Sequence, residues 1–521
     1  MDFFSNLEAA NFLQPDQALL CLSGWVFARD GSAVQAIRLR KGEQTVGGYY
    51  GIRRPDVAQA HSDLRTALFS GFSILSSVDK REFPCALEVQ DASLNWHKLK
   101  TIEATEFTGQ VVYTPLPTEL EGLQPKAAGA HSEKKRPILF ISHDFAFAGA
   151  QMLLLRLLRW LRAHSDTDIE ILVATPRSAA AYASSGERNI LAGFAETGPV
   201  HFLSDLTRAP ENLSRIQRGH YRLIYANTGT LGWLLPSLRP FDCPLISHVH
   251  ELGFWLKRRT GVEIFNRQAA ETDLFLAGGQ AVQDLLVNEM SVPALETEVV
   301  HCCASTERAR QARQQHTRAE VRHSLGIPPD AFVLEACGTL EWRKGAELFV
   351  PICVALRRKL GKQTFRAIWI GDPCDLIVRD QFLHDIAKAG LTENVSLVEP
   401  QQNLPWWMLA ADCLALPSRE DPFPMVMLEA GVLGLPVVGF QSSGGVTEFV
   451  GTDAGIVVPY LDVEAFADAL ASLALDAEAA RRLGQISEQR VMKLYDEEIS
   501  FRRILTHLDR PSTRPRSPAR S

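Results

Sequence analysis

CLALPSREDPFPMVMLEAGVLGLPVVGF, residues Cys413–Phe440, is the stretch on which the fold is read. A short apolar run, Cys413–Ser418, gives way to the charged, proline-rich Arg419–Pro424. Met425–Val432 then continues as an apolar stretch of helical length, stopped by Gly434 and Pro436, and Pro436–Phe440 is again short and apolar. Strand, loop, helix and strand in immediate succession imply a parallel sheet covered by helices. Two acids interrupt this commitment to burial: Asp421 in the loop and Glu429 in the helix.

The same alternation extends in both directions. Candidate strands are 138–142, 169–175, 223–227, 244–250 and 274–279, followed by 332–338, 365–371, 394–400, 413–418, 436–440 and 455–459. The two series predict an α/β protein with two doubly wound, Rossmann-like domains facing a cleft, with ligands beyond the carboxyl ends of the strands. Residues 1–113 differ. Short alternating runs such as ALLCLSGWVFA (Ala18–Ala28), AIRLRKG (Ala36–Gly42) and ALEVQDA (Ala86–Ala92), separated by turn residues, predict a small all-β sandwich. The expected organisation is therefore a β-sandwich at 1–113, a linker at 114–136, Rossmann-like domains at 137–305 and 306–509, and a disordered tail at 510–521. At 521 residues the chain is too long for one core, in keeping with roughly two to four domains.

Composition removes several classes. A net charge of −7 gives no general electrostatic case for a nucleic-acid partner. Nine cysteines without a CxxC pair suit neither a zinc site nor a disulfide framework, and point to a reducing compartment. MDFFSNLEAANF lacks the pattern of a secretory signal, and no apolar run approaches about 20 residues. In MLLLRLLRWL (Met152–Leu161), Arg156 and Arg159 share a helix face that suits a solvated stripe or contact with anionic lipid. The expected setting is cytoplasmic, with peripheral contact at the inner face of the membrane as a variant.

Suggestive groups follow several strands. Gly149-Ala150 in HDFAFAGAQ leads into a helix, where small residues let backbone N–H groups approach an anion or simply pack helix on strand. His250 and Glu251 end another strand, with His248 two residues back on the same face. No HExxH or similar spacing favours a metal there. Arg343 and Lys344, in TLEWRKGAELF, are adjacent cations able to neutralise a departing diphosphate. Gly444-Gly445 before a helix with Glu448 in its first turn forms a nest of N–H groups suited to phosphate. Asp421 and Glu429 offer paired acceptors to the vicinal hydroxyls of a sugar and a ribose. Each acid alone is also explained by a helix N-terminal charge or a buried, capped carboxyl.

Together these residues resemble family 4 (group 1) of the retaining GT-B glycosyltransferases, whose hallmark is two acids separated by seven residues. Here DPFPMVMLEAGVLGLPVV carries Asp421 and Glu429 at those positions, Gly444, Gly445 and Glu448 match the downstream GGxxE, and WRKG and His250 match the basic loop and the strand-end histidine. The resemblance covers about 138–508 and is weakest in 182–213. SGWVFARDG, GIRRPDVAQAH and SGFSI separately resemble β-sandwich modules attached to bacterial glycosyltransferases.

The family implies transfer of a glycosyl group from a nucleoside-diphosphate sugar to an acceptor hydroxyl, with retention, no metal and no further cofactor. The donor would be a UDP- or GDP-sugar, and the acceptor a glycan, a lipid-linked glycan or a protein, as in surface polysaccharide or glycoprotein synthesis. By position, Glu429 would hold the ribose and Asp421 a donor-sugar hydroxyl. Lys344 with Arg343 would stabilise the diphosphate, His250 would contact the sugar, and Gly149 would form a loop near the phosphates. Asp421 stands where the family has Glu, Pro424 replaces a glycine, and Thr339 replaces an arginine. DTD at Asp166–Asp168 is similar to a metal-binding DxD but falls away from the expected cleft. An epimerase or hydrolase of the same fold, or a non-catalytic carbohydrate-binding protein, are the alternatives.

Overall fold

A computed structural model describes residues 2–12, 18–47, 49–52, 55–61, 63–64, 66–67, 70–78, 83–103, 136–145, 148–174, 190–203, 221–241, 243–373, 376–401 and 403–509. The expected linker and tail lie outside these residues, apart from Arg136. The chain gathers into two compact units, Met1–Leu245 and Ile246–Ser521.

In the first unit the N-terminal strands are β1 (Phe3–Phe12), β2 (Ala18–Ala28), β3 (Ala36–Lys41), β4 (Gln44–Gly47), β5 (Tyr49–Ile52), β6 (Gly71–Val78), β7 (Cys85–Gln90) and β8 (Trp96–Ile102). They form two antiparallel sheets, ordered β1-β2-β6-β5 and β4-β3-β7-β8. Leu22, Val26, Phe72 and Ile74 of one sheet share a core with Ile37, Leu39, Leu87 and Val89 of the other. Residues two or four apart on β2, β3, β6 and β7 thus face inward, which makes the module a small all-β sandwich.

The parallel strands that follow form, with their helices, two Rossmann-like domains. In the first unit β9 (Ile138–Ser142), β10 (Ile169–Val173), β11 (Val200–Phe202) and β12 (Leu223–Ala226) lie in the order β11-β10-β9-β12. Helix α1 (Gly149–His164) buries Leu153, Leu154, Leu157, Leu158 and Leu161. On its outer side Arg159 pairs with Glu196 at 3.0 Å, so one of the two arginines read as a stripe is engaged within the protein.

The second unit continues with β13 (Leu245–Val249), β14 (Leu274–Ala277), helix α2 (Gln280–Asn288) and β15 (Thr297–Val299), the strands parallel in that order. Next come β16 (Phe332–Cys337), helix α3 (Ala346–Leu360), β17 (Phe365–Ile370), β18 (Val395–Val398), β19 (Cys413–Leu416), helix α4 (Met425–Val432), β20 (Val437–Phe440), helix α5 (Gly445–Val450), β21 (Gly455–Val458), helix α6 (Val463–Leu475) and helix α7 (Ala477–Leu494). Their sheet has the order β18-β17-β16-β19-β20-β21. Its central strands are apolar at nearly every position because both faces are covered. One face, bearing Leu334, Ala336, Ala367, Trp369, Ala415 and Phe440, forms the main core with Phe349 and Ile352 of α3 and Phe466 and Leu470 of α6. The opposite face receives α4, which packs on β19, β20 and α7. Asp462 and Asp476 cap α6 and α7 by accepting backbone N–H bonds, the favoured chemistry at a helix start.

Candidate functional site

The site is built in the second unit from the loops that leave β16 and β19. After β16 the chain makes a single 3₁₀ turn, Trp342–Lys344, ending at Gly345 with φ +72°. A Cβ at Gly345 would strike the Pro417 carbonyl oxygen, so a glycine lets the two loops meet. They are then joined by Arg419 N–H donating to the Arg343 carbonyl at 2.8 Å.

This contact brings Lys344 onto Asp421, with Nζ 2.5 Å from Oδ2. Both side chains are shielded, 15% and 8% exposed. Arg343 Nη1 lies 3.9 Å from Asp421 Oδ1 and donates to the Glu420 carbonyl at 3.0 Å, while its other terminal nitrogen is 2.9 Å from Glu341. Ser418 Oγ stands 3.5 Å from Asp421 Oδ2. The backbone of Asp421 is fixed as firmly: its N–H donates to Ser443 at 2.7 Å, and its carbonyl accepts from Gly445 at 3.1 Å. Gly444, at φ +124°, sits so close to that carbonyl that a Cβ would strike it. Arg343, Lys344, Asp421, Gly444 and Gly445 are therefore one interlocked group.

Its neighbours in sequence face elsewhere. Arg419 pairs with Glu347, donates to the Trp342 carbonyl and lies 5.0 Å over the Trp342 ring. Glu420 Oε1 accepts the Phe254 N–H at 2.9 Å, and burial raises its carboxyl above the usual range against the pull of the Phe254 and Trp255 N–H groups and Arg343. Sequence reasoning missed Glu420. Its signal, an acid directly before another acid, reads as simple surface charge.

Glu429 projects half-buried from α4. Its charge is felt at Glu335 and Cys337 on β16, and Lys344 is felt at Cys337 as well. Glu335 was also missed, since a lone acid in FVLEAC breaks the burial pattern without forming a motif. Glu448 is held on both oxygens, by the Gln280 N–H at 2.9 Å and by His301 Nε2 at 2.5 Å. His301 in turn packs on Phe423 and Tyr495. His250 follows β13, with its ring centre 4.0 Å from that of His248 and Nδ1 3.8 Å from Cys302 Sγ. Burial pushes His248 down to about 3, so this ring is neutral. Among the described residues no group of three His, Cys, Asp or Glu is arranged to hold a metal ion. Gly149 lies in the first unit, where it opens α1 after the extended Ala148.

Beside this group is a cavity of about 620 Å³, lined among others by Leu252, Phe254, Lys257, Glu420, Ser442 and Gly444. Lys257 is paired with Glu289, which also lines the cavity. A cavity of this size holds a small polar ligand, and its mixed lining suits one with both apolar and hydroxyl faces. Among the described residues no helix is long and apolar enough to cross a membrane.

Residues 331–476 match the family model described as glycosyl transferases group 1, and residues 129–308 match glycosyltransferase family 4. A curated relative, the D-inositol 3-phosphate glycosyltransferase of Saccharomonospora viridis, is 29% identical over 279 residues, covering 50% of this chain and 63% of the relative. The corresponding protein of Salinispora arenicola is 26% identical over 51% of this chain and 64% of its own length. The chain thus spans under two thirds of the curated relatives it matches first. The solved structure of Anabaena Alr3699/HepE in complex with UDP superposes with a TM-score of 0.60 at 21% identity, over 71% of this chain and 99% of that one. Sucrose-phosphate synthase from Thermosynechococcus elongatus gives 0.56 at 20% identity, over 72% and 98%. At these identities the likeness is one of fold, the GT-B fold.

Proposed function

Because the chain belongs to the group 1, family 4 glycosyltransferases, we propose that it moves a sugar from a nucleoside-diphosphate sugar to an acceptor hydroxyl, with retention and without a metal ion. The observation that carries this reading is the shielded Lys344–Asp421 pair, with Arg343 beside it, where the loops after β16 and β19 converge. As the bond between the anomeric carbon and the diphosphate breaks, negative charge gathers on the leaving phosphate. Lys344 and Arg343, both largely shielded from solvent, are the cations that stabilise it. The acceptor oxygen bonds to the anomeric carbon, and its proton leaves with the nucleotide.

In this reading Asp421 accepts a hydrogen bond from a donor-sugar hydroxyl, and Glu429 grips the ribose hydroxyls. His250 contacts the sugar near the reacting carbon. Gly444 and Gly445 shape the backbone around Asp421, and Glu448 braces their helix. Residues 137–305 serve the acceptor and 306–509 the donor. UDP is the favoured nucleotide, supported by the UDP bound to the Anabaena neighbour. The acceptor is a hydroxyl of a glycan, a lipid-linked glycan or a protein, met in the cytoplasm or at the inner face of the membrane. The charge of −7 supports no role for nucleic acid.

The test is turnover of UDP-sugars with and without an acceptor panel, in the wild type and Glu429→Ala. Acceptor-dependent UDP release by the wild type, abolished in a folded Glu429→Ala protein, is expected. Epimerised or hydrolysed donor regardless of acceptor would point to the alternative chemistry. Saturable UDP binding with no donor consumed would make the protein a non-catalytic binder.

A further inference from the structure

Across the sheet of the second unit, one row of paired positions reads Ile368, Glu335, Leu414 and Val437 on strands β17, β16, β19 and β20. Paired positions in a parallel sheet present their side chains to one face. Three of the four are aliphatic. The fourth is a carboxyl with 0% exposure, and neither of its oxygens has a hydrogen-bond partner. Such a group is costly to keep, and calls for an explanation. The face is informative. Leu334 and Ala336 point into the main core under α3 and α6, so Glu335 points to the side that receives α4. Glu429 projects from α4, and Cys337 lies two residues along β16 on the same face as Glu335.

We propose that Glu335 is a positioning residue for Glu429, its buried carboxyl forming the floor against which the Glu429 side chain sets when the ribose of the nucleotide is bound. This rests on the reading of Glu429 as the ribose ligand. Burial, with the like charge of Glu429 added, raises the Glu335 carboxyl well above the usual range and so favours its protonated form. A protonated carboxyl is a donor as well as an acceptor. Its O–H can donate to one Glu429 oxygen, leaving the remaining lone pairs for the two ribose hydroxyls. A hydrogen bond to an ionised acceptor is the strong kind, and it also fixes direction. The titratable groups around Glu335 are Glu429 from α4 and Cys337 from its own strand. The flanking strands offer only Ile368 and Leu414, and Lys344 near Cys337 is committed to Asp421.

The experiment measures UDP and GDP affinity by calorimetry, together with melting temperature, from pH 6 to pH 10. It compares the full-length wild type, Glu335→Gln and Glu335→Leu. Leu fills the space without a polar group, so Glu335→Leu is expected to melt higher than the wild type yet bind UDP at least tenfold more weakly. Gln keeps a donor at every pH, so Glu335→Gln is expected to hold affinity within threefold. It should also lose any alkaline fall in affinity that accompanies ionisation of Glu335 in the wild type. If Glu335→Leu melts higher and binds as the wild type does, Glu335 is merely a tolerated buried acid and the proposal is overturned. Should Glu335→Leu fail to fold, an identical alkaline fall in the wild type and Glu335→Gln overturns it equally. A wild type that binds neither nucleotide overturns the ribose reading of Glu429 and this proposal together. Binding lost in Glu335→Leu but kept in Glu335→Gln upholds both.

Discussion

Lys344 and Asp421 neutralise each other at 2.5 Å with little access to water. Removing one charge leaves the other shielded and unpaired, which is the expensive way to break a buried pair. Asp421→Asn is therefore expected to destabilise the protein by about 3 kcal/mol and to abolish sugar transfer. Denaturant titration and a turnover assay check the two halves. Both members of this pair were legible in the sequence, because each occupies a strand-end loop of recognisable spacing. Their mutual contact was not, since it spans the separation between residues 344 and 421 and arises only when β16 and β19 pair. Glu335 shows the opposite failure. Its meaning comes from the burial of its row and from α4 above it, and neither is visible in FVLEAC.

Elements were legible where they are long or buried on both sides. The second unit's strands appear as apolar runs because helices cover both faces of the sheet. β11 and β15, three residues each, are too short to show any period and were not anticipated. β1 escaped notice for another reason. Its register against β2 shifts between Leu7 and Ala9, so the alternation expected of a strand is broken midway. The turn at Gly444 was foreseen as an anion nest, whereas the observed geometry gives the Gly445 N–H to the Asp421 carbonyl. Gly444→Ala is thus expected to displace the Asp421 loop and cost at least tenfold in turnover. Gly326, also at positive φ but with open space around it, is the control. Gly326→Ala should cost about 1 kcal/mol of stability with turnover unchanged. Equal loss of turnover in both would mean that backbone strain alone, and not the contact with Asp421, is responsible.

For the whole molecule, two buried groups pull the pH dependence of stability in opposite directions. His248 has its folded value lowered from 6.5 to about 3, so between these limits the unfolded chain binds a proton that the folded one refuses. Its contribution is present above about pH 6.5 and is lost as pH falls, by about 2 kcal/mol at pH 5. Glu335 has its folded value raised above 4.5, so the folded chain keeps a proton that the unfolded one releases. Its contribution is full below 4.5 and is lost as pH rises. Stability should therefore decline on either side of an intermediate pH. His248→Asn should flatten the acid limb, below about pH 4.5, and Glu335→Leu the alkaline limb, as read by melting temperature across about pH 3.5 to 9.

Three successive charges, Arg419, Glu420 and Asp421, each answer to a different part of the second unit: Arg419 to Glu347 and Trp342, Glu420 to the backbone at Phe254, Asp421 to Lys344. On the proposed reading of the site, anyone redesigning donor choice by varying this tripeptide inherits a constraint from that division of labour. A library that randomises all three together will mostly collect broken scaffolds. One that varies the residues around Asp421 while leaving Arg419 and Glu420 alone explores selectivity on an intact frame.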